Sequence, residues 1–178
     1  LGAIGDAGLI VTNSPNLAKK LRMLREYGWN NRISEYAGRN SRLDELQAAI
    51  LRIKLKYLDR DNKKRIDIAS FYFHELANLP LKLPKINFNV EHVFHLFVVQ
   101  SDVRSHIIEY LRNNSIQAGI HYPVPIHLQP YYKDNIKTVS DMQITENIAN
   151  KILSLPIYPQ LKNHETEKIV RTLTKFFE

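Results

Sequence analysis

The chain has 178 residues, 44% of them hydrophobic and 24% charged, which is ordinary globular composition and enough for a core. Zero cysteines exclude disulfides, thiolate metal sites and a cysteine nucleophile, and no apolar run approaches the ~20 residues of a membrane span. The net charge of +7 (25 Lys+Arg against 18 Asp+Glu) admits anionic partners, but neither zinc-finger spacing nor an RNA-binding aromatic motif accompanies it. Nucleic acid and membrane are therefore set aside, and a cytoplasmic enzyme fits best.

The opening "LGAIGDAGLIVTN" has no polar lead-in and reads as the middle of a fold. Within it "GLIVTN" (Gly8–Asn13) predicts a short buried strand. Ser14 or Asn16 can cap the helix that follows, with Leu17, Leu21 and Leu24 on one face and Gly28 as its stop. Trp29 to Asn40 is polar and irregular. A long helix is predicted from Ser41, where Ser41 and Asp44 make a loose capping box, and Leu43, Leu46, Ile50, Ile53 and Tyr57 keep helical spacing. Apolar positions resume at Ala69, Tyr72, Phe73 and Leu76, so one bent helix or two consecutive ones fill the stretch to Leu79. The basic run Arg52, Lys54, Lys56, Arg60, Lys63, Lys64 and Arg65 reads as its solvated face.

Beyond a Pro-punctuated linker (Leu79–Asn89), Val93–Val99 is a strand. Asp102 can cap a helix carrying Ile107, Ile108 and Leu111, and "IQAGIH" is a short strand. A helix from about Met142 to Leu153 precedes the extended "LSLPIYP", and Asn163 caps a last helix with Ile169, Val170, Leu173 and Phe176 on its face. Strands and helices in this order predict a small α+β domain with a largely antiparallel sheet.

Two stretches invite chemistry. "GRNSR" places Asn40 and Arg42 just before a helix start, where backbone N–H groups favour anions and both side chains add donors; Asn40 could equally just shape the turn and Arg42 be surface charge. "IHYPVPIHLQPYY" (Ile120–Tyr132) packs two histidines, three tyrosines and three prolines into a stiff loop. The histidines lack the ligand spacing of a metal site, and no nucleophile elbow or dinucleotide fingerprint occurs.

In order, "LGAIGDAGLIVTN", "LREYG", "GRNSRLDELQAAILRIKLKYLD", "HVFHLFVV", "IHYPVPIHLQPYY" and "LSLPIYP" resemble the C-terminal half of the DegT/DnrJ/EryC1/StrS aminotransferases, the pyridoxal-phosphate sugar aminotransferases of fold type I. The resemblance implies an α/β PLP-dependent transferase fold, with residues 1–40 the end of the large cofactor-binding domain, 41–78 a linking helix region and 79–178 the small domain. It implies pyridoxal 5′-phosphate as cofactor, glutamate and a nucleotide-linked keto-sugar as substrates, and a homodimer with shared active sites. It places the lysine that forms the Schiff base two positions before Leu1, so no catalytic residue is expected within the chain, and Lys19 and Lys20 are not substitutes. It assigns Asn40, with Arg42 as companion, to the cofactor phosphate of the neighbouring subunit, and Tyr122 and His127 to the sugar or its diphosphate. His121 and His95 are read as satisfied polar side chains. Relatives that lack the lysine act as dehydratases or regulators; those readings, and a non-catalytic interaction module, are the alternatives.

Overall fold

In the computed structural model the described residues, 1–138 and 140–178, divide into two units, Leu1–Asp59 and Arg60–Glu178. In the first unit the predicted strand at Gly8–Asn13 does not form. Leu9, Ile10 and Val11 are 72, 70 and 83% exposed, and the segment has no ladder partner among the described residues. A strand exists only through its neighbours, so β-rich composition alone left this one unmade.

Helix α1 (Pro15–Leu24) starts as read: the Leu17 N–H donates to Ser14 Oγ at 3.3 Å and Pro15 occupies the first helical position. Its end is shaped by Gly28 at φ +72°, whose N–H donates to the Met23 carbonyl at 2.8 Å. A Cβ on Gly28 would lie 1.8 Å from the Tyr36 carbonyl oxygen, and one on Gly38 would lie 2.1 Å from the Gly28 nitrogen, so neither position has room for a side chain. The polar stretch read as irregular is in part a tight hairpin. Strands β1 (Trp29–Asn30) and β2 (Ile33–Ser34) pair antiparallel across Asn31 and Arg32, both at positive φ as a mirror-image turn requires.

The long helical region is two helices, α2 (Glu45–Leu55) and α3 (Leu58–Glu75). Helix α2 begins later than Ser41 because Asp44, not Ser41, is its N-cap, and no side chain caps it. The basic run is solvated as read, with Arg60 on Asp61 at 3.0 Å and Lys63 on Asp67 at 3.5 Å. Arg65 is the exception: half-buried, it donates to the Ile157 carbonyl at 2.9 Å.

The second unit holds the core. Strand β3 (Phe97–Gln100) pairs antiparallel with β4 (Ile152–Leu155), in register Phe97 to Leu155 and Gln100 to Ile152. Antiparallel bridges from Lys82 to Gln100 and from Gly119 to Ser154 widen this ladder, the second being all that forms of the strand predicted at "IQAGIH". Tyr72 of α3 and Leu76 just after it, Ile107 and Leu111 of α4 (Arg104–Asn113), and Ile169, Val170 and Leu173 of α6 (Asn163–Phe177) close over Phe97, Val99 and Leu153. All four residues of β4 are buried. The Tyr72 ring packs tilted against Phe97, centroids 5.1 Å apart, and its hydroxyl donates to the Pro156 carbonyl at 2.9 Å. Burial, with Tyr158 adding to it, pushes the Tyr72 phenol far above its usual range.

Two expected caps are made differently, and one helix ends early. Asp102 does not cap α4; Ser101 Oγ accepts the Val103 N–H at 3.3 Å while Asp102 pairs with Lys151 at 2.6 Å. Asn163 is already helical, and the Glu165 carboxylate accepts the Lys162 N–H at 2.8 Å. The helix expected to reach Leu153 stops early: α5 is Gln143–Ala149, and its last carbonyl accepts from Arg104 Nη1 at 3.0 Å before the chain enters β4.

Candidate functional site

Each unit carries one of the two stretches. In the first, the segment after β2 returns beside the end of α1: the Arg39 N–H donates to the Leu24 carbonyl at 3.0 Å and the Ser41 N–H to the Arg25 carbonyl at 2.8 Å. A bridge between Glu26 and Asn40 follows from this. Asn40 is thereby presented on an exposed edge, its Oδ1 accepting the Arg42 N–H at a long 3.5 Å. The Arg42 guanidinium is 59% exposed and 4.0 Å from Glu26, a loose pair that leaves its other N–H donors available. Because no side chain caps α2, its first-turn N–H groups add further donors. A carboxamide and a guanidinium are donor types that suit a phosphate.

Beside this edge a groove of about 1010 Å³ is lined by Leu9, Ile10, Val11 and Leu21 with Arg22 and Arg39. Lys19 and Lys20 are exposed, and Lys20 lies 5.4 Å from the centre of the Tyr36 ring.

In the second unit the loop Ile120–Tyr132 carries one turn of 3-10 helix at Ile126–Leu128. His121 Nδ1 lies 2.9 Å from Oγ of buried Ser154, which makes it the satisfied polar side chain expected. His95 is exposed. The His127 side chain is only 13% exposed, and its Nε2 lies 2.9 Å from Glu146 Oε1 on α5. Tyr122 projects instead, 74% exposed, with its ring edge-on to His121 at 5.5 Å. Tyr122 and His127 thus share a loop but face different surroundings. Glu146 is the residue that reading the sequence missed; nothing in "QITEN" marks it, because its partner is supplied by the fold. Among the described residues no group of three or more His, Cys, Asp or Glu could hold a metal ion, and no helix is long and apolar enough to cross a membrane.

Comparison with known proteins matches residues 1–174 to the model of the DegT/DnrJ/EryC1/StrS aminotransferase family. The erythromycin biosynthesis sensory transduction protein EryC1 of Saccharopolyspora erythraea is 41% identical over 175 residues, which cover 97% of this chain and 48% of that protein. The dTDP-3-amino-3,4,6-trideoxy-alpha-D-glucose transaminase of Streptomyces venezuelae is 40% identical over 180 residues, 100% of this chain and 48% of the relative. The crystal structure of S. venezuelae DesV in complex with a ketimine intermediate superposes with a TM-score of 0.94 at 39% identity, over 100% of this chain and 48% of that one. The chain spans about half the length of the relatives it matches.

Proposed function

Since the chain belongs to the DegT/DnrJ/EryC1/StrS aminotransferase family, we propose that the whole protein is a pyridoxal-phosphate-dependent aminotransferase that moves an amino group from glutamate to a nucleotide-linked keto-sugar. The observation that carries the reading is that the whole of this chain is similar in sequence to about half of a sugar transaminase, and that it also presents phosphate-type donors at Asn40 and Arg42. In this proposal residues 1–40 are the end of the large domain, 41–78 link it to the small domain, and 79–178 are the small domain.

The cofactor, when bound, supplies the electron sink that lets an amino group leave one carbon and join another. Asn40 and Arg42 hold its phosphate, and in a homodimer they do so for the neighbouring subunit. The loop with Tyr122 and His127 lines the sugar side; Pro123, Pro125 and Pro130 keep it ordered, so little ordering entropy is lost when the substrate arrives. The cytoplasm, where glutamate and nucleotide-linked sugars are available, completes the reading. A second reading is a regulator without transferase activity, favoured by the name of the relative EryC1, a sensory transduction protein.

The test uses the whole protein. Glutamate- and keto-sugar-dependent formation of 2-oxoglutarate supports the transaminase; no turnover with any keto-sugar, together with retained cofactor, turns the assignment to the regulator. Asn40→Ala is expected to weaken cofactor retention about ten- to a hundredfold, the worth of one hydrogen bond to a charged group, while altering sugar affinity less. Equal retention in wild type and variant returns Asn40 to a turn residue.

A further inference from the structure

The loop Ile120–Tyr132 is tied down by both of its histidines. His121 is bonded to Ser154 of β4 and His127 to Glu146 of α5, each at 2.9 Å. Between them the loop closes on itself, with the Leu128 N–H donating to the Pro125 carbonyl at 3.0 Å and Gln129 Nε2 to the Val124 carbonyl at 3.4 Å. Tyr122, Ile126 and Tyr131 project furthest, at 74, 60 and 75% exposure. The two anchors differ in kind. Ser154 is buried within a strand whose place is set by the core, whereas Glu146 belongs to a short helix and keeps 41% of its side chain exposed. Glu146 is half-buried, and its carboxylate is paired with His127.

A carboxylate at neutral pH only accepts hydrogen bonds, so the Nε2 of His127 must carry the proton between them. Nδ1 is then the one ring nitrogen left for anything else. We propose that Glu146 is a positioning residue for the nucleotide-sugar: it fixes the orientation and the Nε2 proton of His127, leaves Nδ1 as the ligand-facing nitrogen, and through that ring holds the loop in the geometry that presents Tyr122. This inference rests on the reading of the loop as the sugar side of the site.

The experiment compares His127→Ala, Tyr122→Phe, Glu146→Ala, Glu146→Gln, Glu146→Asp and the His127/Glu146 double alanine variant in the whole enzyme, with steady-state kinetics and a thermal melt of each. Glu146→Ala is expected to raise KM for the nucleotide-sugar about tenfold, with KM for glutamate and kcat within about twofold. Glu146→Gln, whose Oε1 still accepts the Nε2 proton, should recover most of the loss. Glu146→Asp, one methylene shorter, should behave like alanine, and it decides the question if the alanine variant does not fold. The double variant should be no worse than His127→Ala alone, because the two residues act as one unit. If His127→Ala raises KM for the sugar and Glu146→Ala or Glu146→Asp leaves it at the wild-type value, the positioning role is wrong and the loop reading stands. If His127→Ala and Tyr122→Phe both leave it unchanged, the loop reading itself fails and takes the inference with it.

Discussion

Leu46 on α2 and Leu173 on α6 are the same residue type, each on the apolar stripe of its helix. Leu46 is 75% exposed and Leu173 fully buried. The contrast extends to the units around them. Among the described residues of 1–59 Met23 is the one buried apolar side chain, while Leu9, Ile10, Val11, Ile53 and Leu55 stand in the open; residues 60–178 close a core from three helices and a strand pair. An amphipathic pattern records that a face needs cover without recording what covers it. Under the proposed function, cover for the first unit comes from the rest of the large domain and from a second subunit.

Hydrogen exchange on the 178-residue chain breaks or confirms this contrast most directly. Amides of β3, β4, α4 and α6 are expected to open with about 5 kcal/mol or more, and those of residues 8–13 with nearly none. Uniform protection from one end to the other would mean that the first unit needs no partner. A matched pair of truncations sharpens the point: in denaturant melts Leu173→Ala should cost about 2–5 kcal/mol and Leu46→Ala less than about 0.5 kcal/mol. Equal losses would show that both faces are covered in solution.

Tyr72→Phe comes next, at about 1–2 kcal/mol, because it strips the Pro156 carbonyl of its donor. It also tests the raised Tyr72 phenol. Below pH ~10 both the folded and the unfolded protein keep this proton and the stability is fully present. Above it the unfolded chain releases the proton first, so stability falls as pH rises towards the folded value. The phenylalanine variant lacks that loss, and its deficit relative to wild type should shrink in alkaline melts; a constant deficit would place the hydroxyl in water. The smallest effect is Asp102→Asn. It removes an ion pair to Lys151 whose side chains are 83 and 44% exposed, and should cost about 0.5 kcal/mol or less.

The helices of the second unit were legible because their stripes are answered by a core: Ala69, Tyr72 and Leu76, or Ile169, Val170 and Leu173, are buried as their spacing predicts. The error at α5 came from the same signal. Ile144, Ile148 and Ile152 keep a four-residue step across the true end at Ala149, and a strand buried on both faces shows no alternation to contradict it. At the site, residue types such as Asn40, Arg42 and His127 could be picked out from local pattern and resemblance. Glu146 could not, since it meets His127 only through the fold, and the same holds for Arg65 and Tyr72 on the Ile157 and Pro156 carbonyls.

The glycine-lined turn after α1 has a bearing on how this chain can be re-engineered. Backbone hydrogen bonds fasten the base of the β1–β2 hairpin: the Tyr27 N–H reaches the Arg39 carbonyl and the Glu35 N–H the Gly28 carbonyl, at 3.1 and 3.0 Å, with Gly28 and Gly38 too close for any other residue. Its tip at Asn31 and Arg32 is exposed and takes no part in that fastening. Modules closed at the neck and open at the end are where foreign sequence is accommodated. An affinity peptide or a fluorophore site spliced between Asn31 and Arg32 would therefore report on this unit from a place whose neck is held independently of the cargo, whereas a single methyl group at Gly28 would undo it.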